Sequence, residues 1–554
     1  MVGFLHESTS GGAVAHEAFS VIRSVASAAA MLGLLLASGR AAADQPTPEP
    51  AQQPHVLDAT APLTLRCSMC FVDRSGRVVR FEPTYDAWFA GARAEPRYWM
   101  AGAEMAAILT LGTIYYWVRP GINRPDWDFP DAFTRMANLE ATLDNNEFGT
   151  NHVLHAASGA TYYLFAREND LNPFISLAYS AGSSAVFEFF LEWLEKVSLN
   201  DLVFTPAAGV PAGEFVFQLG EYLNSAPRPT TGSRIAAWTL GAPSAFHDGP
   251  RGLRSRARLP GDNLGLSSAW WHRFRISYGL AQAQAERGTD ETYHRVRLEA
   301  ELNAMPGMLR PGHFSTGFGQ ANFNDMRIAY GVNGRGMIES DVWFHTILAG
   351  QYTQSFEQRP SGLRGEAAIV GLSMAWRYND RQPVGRRDQF AMAHLFGPVA
   401  ETLFAVGGVL ARVRADVHLD FGGVRSLPFS DRPAVYDPET MKSVLQNYGY
   451  AFVAGASGRF TASLEYGPFE LGVRRAYGQY DSLQGYDRLQ SEVENDTPSD
   501  DSVSELEGWL AAKPPTVPLE LRLDYHRIFR FSRMHPLREH RTDRMLAASI
   551  GARF

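Results

Sequence analysis

Four side chains in the first half of the chain could do chemistry together: His155, Glu188, Asp201 and Glu214, an imidazole and three carboxylates set among apolar residues. Groups of this kind move protons or hold a divalent metal when a fold gathers them in one pocket. They can equally satisfy one another as a hydrogen-bonded network that fixes helix packing and caps the Ser198 to Thr205 segment, because a polar group on an apolar helix needs a partner. The network is the favoured reading, and no catalytic residue is assigned. His155, Gly159 and Tyr162 fall three or four residues apart on one helical face, and Glu188 and Glu192 are spaced i and i+4.

A second candidate is His313-Phe314-Ser315. On a strand, i and i+2 share a face, so a histidine base and a serine nucleophile would sit side by side. Pro311, Gly312 and Gly317 point to a turn or strand end there, where the two side chains need not align. The third is Cys67-Ser68-Met69-Cys70, which holds both cysteines of the chain. In an oxidising compartment the pair can close a small disulfide loop, the favoured reading, with inert thiols or a redox centre as alternatives, and without a second pair at metal spacing a four-ligand zinc site is not expected. No H-E-x-x-H, G-x-S-x-G, P-loop or G-x-G-x-x-G element stands in a convincing context, so no cofactor and no metal are expected.

The elements that must position these residues differ between the two halves. From about residue 270 onward the chain alternates polar and apolar with a period of two, the mark of strands. Arg412, Arg414, Asp416, His418 and Asp420 alternate with Val413, Ala415, Val417, Leu419 and Phe421. Arg295, Arg297, Glu299 and Glu301 do the same against Val296, Leu298 and Ala300, as do Glu520, Arg522, Asp524 and His526 against Leu521, Leu523 and Tyr525. The runs are long enough for transmembrane strands of about 9 to 11 residues, with an apolar outward face and a polar lumen. In the lumen, charges such as Arg412 and Asp416, or Arg522 and Asp524, can satisfy each other or line a pore.

The sequence ends in Leu546, Ala548, Ile550, Ala552 and Phe554 on one face, and this resembles the last strand of bacterial outer-membrane barrel proteins. The resemblance implies outer-membrane lipid and, through Phe554, the barrel-assembly machinery as partners. About 10 to 12 strands are expected. The count does not close, however. With Gly467-Pro468 as a periplasmic turn, the 481–518 segment faces outside and reads as a solvated acidic loop carrying Glu492, Glu494, Asp496, Asp500, Asp501, Glu505 and Glu507. The two strands left would then put the C-terminus on the wrong side, so one strand is missing or misread.

The first half reads as helical. An apolar run, Tyr98 to Val118, ends before Pro120 and suits a helix buried in a helical packet with Glu104 paired or at an edge. Helices follow around 151–169 and 177–195. Within this stretch stand Asp144-Asn145-Asn146-Glu147-Phe148-Gly149-Thr150-Asn151, His155, Gly159, Tyr162-Tyr163, Ala166-Arg167, Glu188, Ser198-Leu199-Asn200-Asp201, Thr205-Pro206 and Gly213-Glu214. This ordered set resembles a bacterial family known only as domain of unknown function 3943, over about residues 127–224. The chain departs from the family pattern with Ala156 and Phe187, where Pro and Trp are the pattern residues. The resemblance brings no activity with it.

Ahead of these, Arg23, an apolar stretch from Val25 to Ala37 and Ala41-Ala42-Ala43 read as a signal peptide cleaved after residue 43, for export through the Sec pathway. The full reading is an α+β chain. It comprises a signal peptide (1–43), a disordered or extended tether with the C-x-x-C pair (44–83), a helical family domain (84–225), a connector with a possible first strand (226–268) and an antiparallel outer-membrane β-barrel (269–554). Net charge is -8, from 51 basic and 59 acidic residues, which gives no attraction for nucleic acid. The function expected is a barrel without assigned activity, a channel or an envelope-organising protein. The alternative is a lipid hydrolase, since His313-x-Ser315 is similar to the His-x-Ser of outer-membrane phospholipases and lipid A deacylases. An adhesin or docking role for the 481–518 segment stays open.

Overall fold

The computed structural model describes residues 70–72, 78–80, 95–118, 137, 141–144, 146–192, 196–227, 229–251, 261–285, 290–385, 387–431, 444–483, 498–514, 517–534 and 536–554. The expected signal peptide, Cys67 with its disulfide, and Glu492, Glu494 and Asp496 lie outside the described residues. β1 (Cys70–Val72) and β2 (Val78–Arg80) form a hairpin, and β3 (Ala141–Thr142) pairs in parallel with β4 (Val197–Ser198).

The alternating runs of the second half become strands: β5 (Trp271–Ala285), β6 (Glu291–Asn303), β7 (Gly312–Phe318), β8 (Phe323–Asn333), β9 (Gly336–Arg359), β10 (Gly362–Arg381) and β11 (Asp388–Val406). They continue with β12 (Val409–Arg425), β13 (Tyr450–Tyr466), β14 (Phe469–Ser482), β15 (Ser499–Ala512), β16 (Leu519–Met534) and β17 (Leu537–Arg553). β5 pairs with β6 on one edge and with β17 on the other, so the sheet closes on itself as an antiparallel barrel of 12 strands. Closure leaves no open edge in the main wall. β7 is outside that count. It prolongs the line of β8 along the same side of β9, with Gly312 to Phe318 opposite Phe356 to Gly350, and β1 pairs with its far edge at His313.

The missing strand is β15. Part of the stretch read as a solvated acidic loop is a wall segment in which Asp501, Val503, Glu505, Glu507 and Trp509 are buried on the lumen face. Its outward face carries Ser502 and Ser504, so the apolar half of the alternation was too weak to signal a strand. With it in place, the short turns Gly407-Gly408 and Gly467-Pro468 fall at the same end as Phe554.

Buried arginines and carboxylates fill the lumen. Arg297 meets Glu299, Glu507 and Asp524; Arg327 meets Asp341 and Glu507; Arg522 lies 2.8 Å from Asp524. Arg412 pairs with Glu301 and Glu401, while Arg414 pairs with Asp325 at 2.8 Å and lies 3.7 Å from Asp416. At the end near Phe554 the residues after β6 turn inward. Met305 and Met308 pack with Phe314, Phe318, Tyr352, Phe356 and Leu403 into an apolar stopper. Gln354 holds this segment by donating to the carbonyls of Gly307 (3.0 Å) and Arg310 (2.8 Å).

The first half folds into α1 (Tyr98–Val118), α2 (His155–Glu168), α3 (Pro173–Val186), α4 (Leu199–Asn224), α5 (Thr231–Leu240) and α6 (Ala242–Arg251). Two π-helical turns, Thr150–Leu154 and Phe187–Leu191, lead into α2 and out of α3. The helices expected from the sequence end at about residue 195, and α4 is an addition to them. Pro206, Gly209, Pro211 and Gly213 read as helix breakers, since interior Pro loses a backbone bond and Gly costs entropy. Packing on all sides overrides that propensity, and nearly every residue from Phe204 to Leu223 is buried. The glycines are needed for close approach. A Cβ on Gly159 would run into the Thr205 carbonyl, and one on Gly209 into the backbone of Gly159. The 226–268 connector likewise holds α5 and α6, and the first strand starts at Trp271.

The helical packet lies against the outside of the barrel. On β10, Arg377 points into the lumen toward Glu505 and Asp341, so Trp376 and Tyr378 point outward. Both are buried all the same, in a core shared with Phe204 and Phe215 of α4, with Phe344 and Val342 of β9 and with Tyr450 and Phe452 of β13. α4 crosses β6 and β8 through β12. Single strands run from bare to covered wall: Val370 is exposed and Trp376 covered on β10, Leu419 exposed and Phe421 packed on β12. α1 matches its expected bounds, yet only Ala101, Met105 and Leu109 are buried, a narrow stripe rather than a buried helix. Its Glu104 is paired, accepting from Asn169 at 2.5 Å.

Candidate functional site

Asp201 starts α4, where Ser198 caps the helix by accepting from the Asp201 amide at 3.3 Å. The side chain is thereby fixed toward α2, and its Oδ1 lies 3.2 Å from His155 Nδ1. Asn200 donates to the same oxygen at 2.7 Å and accepts from the Asp144 amide at 2.7 Å, which brings Asp144 alongside. Asn146 donates to the Asp144 carboxylate. Glu188, held in the second π-helical turn, accepts from the Ser198 amide at 2.8 Å.

One ligand atom each from Asp144, His155 and Asp201 falls within 4.8 Å of the others, and the same holds for Glu188, Glu192 and Asp201. The two groups share Asp201. Asp144, Glu188 and Asp201 are buried, while His155 keeps some exposure. Desolvation by burial pushes the His155 imidazole down to about 4, so it stands neutral near neutral pH.

The four residues singled out in the sequence are therefore not one cluster. His155, Glu188 and Asp201 come together, and Glu214 does not join them. Glu214 is wholly buried further along α4, where it accepts from Tyr163 (2.7 Å), Arg167 Nε (2.7 Å) and Gln218 (2.8 Å). Arg167 stacks over Phe217 and also reaches Gln320, tying the helices to the barrel at the link between β7 and β8. This half is a hydrogen-bonded network closed around Glu214. Asp144 was missed as a site residue, although the Asp144 to Asn146 run beside the Ser198-x-x-Asp201 cap was its available signal.

His313 and Ser315 do share one face, because β7 is a regular strand and not the turn suggested by its glycines. They still form no dyad. His313 Nδ1 lies 2.8 Å from Ser355 Oγ, directly across on β9, and Ser315 Oγ accepts from Gln351 at 2.8 Å. Cross-strand partners capture each side chain.

Residues 140–242 match the model of the domain of unknown function DUF3943, a match that includes the His155, Glu188, Asp201 and Glu214 positions. No curated protein matches the chain. Among solved structures, the chain is similar to a loop-deletion mutant of OmpT, an outer-membrane protein of Vibrio cholerae, at 6% identity and TM-score 0.20, covering 52% of this chain and 100% of that one. A Pseudomonas aeruginosa FadL homologue matches at 7% identity and TM-score 0.19, over 54% of this chain and 95% of that one. The helical part thus holds a match to the DUF3943 model, and a closed antiparallel β-barrel follows it.

Proposed function

We propose that this protein is a closed outer-membrane barrel that anchors and positions the helical packet, an envelope-organising role rather than a channel. The observation that carries this is the filled lumen. Arg297, Arg327 and Arg474 all converge on Glu507, and the Met305 and Met308 stopper occupies the end near Phe554. A lumen cavity lined by Arg275, Arg327, Arg414 and Glu470 measures about 90 Å³, room for a few waters. Residence in the outer membrane, after export directed by the leader, fits the bare apolar wall of Leu521, Leu523, Leu546 and Ile550. It also fits the exposed apolar residues of α1, among them Leu111, Ile114 and Val118, which extend an apolar surface beyond the barrel. Purified protein in planar lipid bilayers should give no conductance steps above background. Regular, stable steps from the intact protein would defeat the anchor reading.

The hydrolase is retained as a second reading because of one contact, His313 to Ser355 at 2.8 Å on the outer face. That pair needs a third group to orient the imidazole and donors for an oxyanion before it can act. Phospholipid hydrolysis that disappears with Ser355→Ala and survives Ser315→Ala would promote it.

A further inference from the structure

We propose that Asp144, His155 and Asp201, with Glu188 and Glu192 beside them, form a binding site for a divalent first-row transition metal ion. This departs from the sequence expectation of no metal, and it rests on the anchor reading only in placing the working chemistry in the helical packet.

The ligands come from separate segments that the fold brings to one point. Asp144 follows β3, His155 opens α2 from the first π-helical turn, Glu188 sits in the second, and Asp201 opens α4. Convergence from four segments is not what a chance run of acidic residues in sequence produces. π-helical turns recur at functional sites because they re-aim a side chain that a regular helix would point elsewhere, and here two of them flank the same point. The outer contacts are those that steer ligands: Asn200 donates to Asp201, Asn146 to Asp144 and the Ser198 amide to Glu188.

The donor set fixes the class of ion. One imidazole nitrogen with several carboxylate oxygens and no thiolate suits Zn²⁺, Mn²⁺ or Fe²⁺, whereas Ca²⁺ and Mg²⁺ favour oxygen alone. Glu188 and Asp201, two buried carboxylates in contact, also need a proton or a cation between them, and an ion at Asp201 would meet that need. Exposure of His155 leaves a way in from outside the packet.

The test uses the full chain in detergent micelles, stripped with chelator, loaded separately with Zn²⁺, Mn²⁺ or Co²⁺, and desalted before elemental analysis. The wild type should retain about one equivalent, and Asp201→Asn or His155→Gln should weaken retention by about tenfold or more. The barrel variant Glu465→Gln should retain metal like the wild type. Should the site variants fail to fold, Co²⁺ in the wild type decides: an imidazole-bonded ion gives hyperfine-shifted exchangeable NH signals that adventitious carboxylate binding lacks. A wild type that retains no metal, retention unchanged in both site variants, or Co²⁺ without the imidazole signal would overturn the site. None of these outcomes bears on conductance, so failure of the metal site and failure of the anchor reading are separately visible.

Discussion

Two regions of this molecule bury charge, and they do it in opposite ways. In the lumen, cations and carboxylates interleave with redundancy: Asp524 is met by both Arg297 and Arg522, and Glu507 by three arginines. In the helical packet, Arg167 and Glu214 are each other's charge partner in a buried crossing, and the neighbouring cluster sets carboxylates around a histidine. A redundant network tolerates loss of a member, because what remains is still compensated. A dedicated pair does not, because its survivor is a buried charge without its counter-ion.

The largest expected effect follows from that contrast. Glu214→Leu should cost about 3 to 5 kcal/mol of helical-packet stability, because it strands Arg167 in a buried site. Denaturant titration monitored by packet tryptophan or protease resistance would read it, while the heat-modifiable gel migration of the barrel should persist. A loss under about 1 kcal/mol would erase the distinction between the regions. Next is Gly209→Val, which drives a side chain into the α2 backbone and should cost about 1 to 3 kcal/mol, read the same way. Smaller still is Arg522→Gln in the lumen: Asp524 keeps Arg297, so destabilisation should stay near about 1 kcal/mol by the shift in unfolding midpoint. A loss as large as that of Glu214→Leu would show that the lumen is no more redundant than the packet.

Legibility followed the same divide. The barrel could be read where one face was uniformly charged and the other uniformly apolar, as from Arg412 to Phe421, because period two survives any tertiary context. It failed at Ser499–Ala512, where outward serines blurred the alternation, and at Gly312–Phe318, where glycines mimicked a turn inside a regular strand. In the packet, α1 was read to its ends, while α4 was lost to prolines and glycines whose role is close packing against Gly159. Of the four residues singled out in the sequence, the fold brings His155, Glu188 and Asp201 near one another. Glu214 was misplaced among them, since spacing along a helix does not say which turn of a neighbour it meets. That the packet sits on the outer wall had no sequence signal, because Trp376 and Phe421 look the same facing lipid or facing a helix.

The docking of the packet on the outer wall is the central claim, and one contact tests it most directly. Asn151 of the first π-helical turn donates to the Tyr450 hydroxyl at 2.9 Å, across the junction between packet and barrel. With the photo-reactive p-benzoylphenylalanine in place of Tyr450, irradiation of the intact protein should join β13 to the packet at Phe148 and His152, which lie against that ring. Peptide mass spectrometry should find the joined peptides only after irradiation. If the folded, heat-modifiable barrel forms and no packet peptide is joined to β13, the packet does not sit on the wall as described.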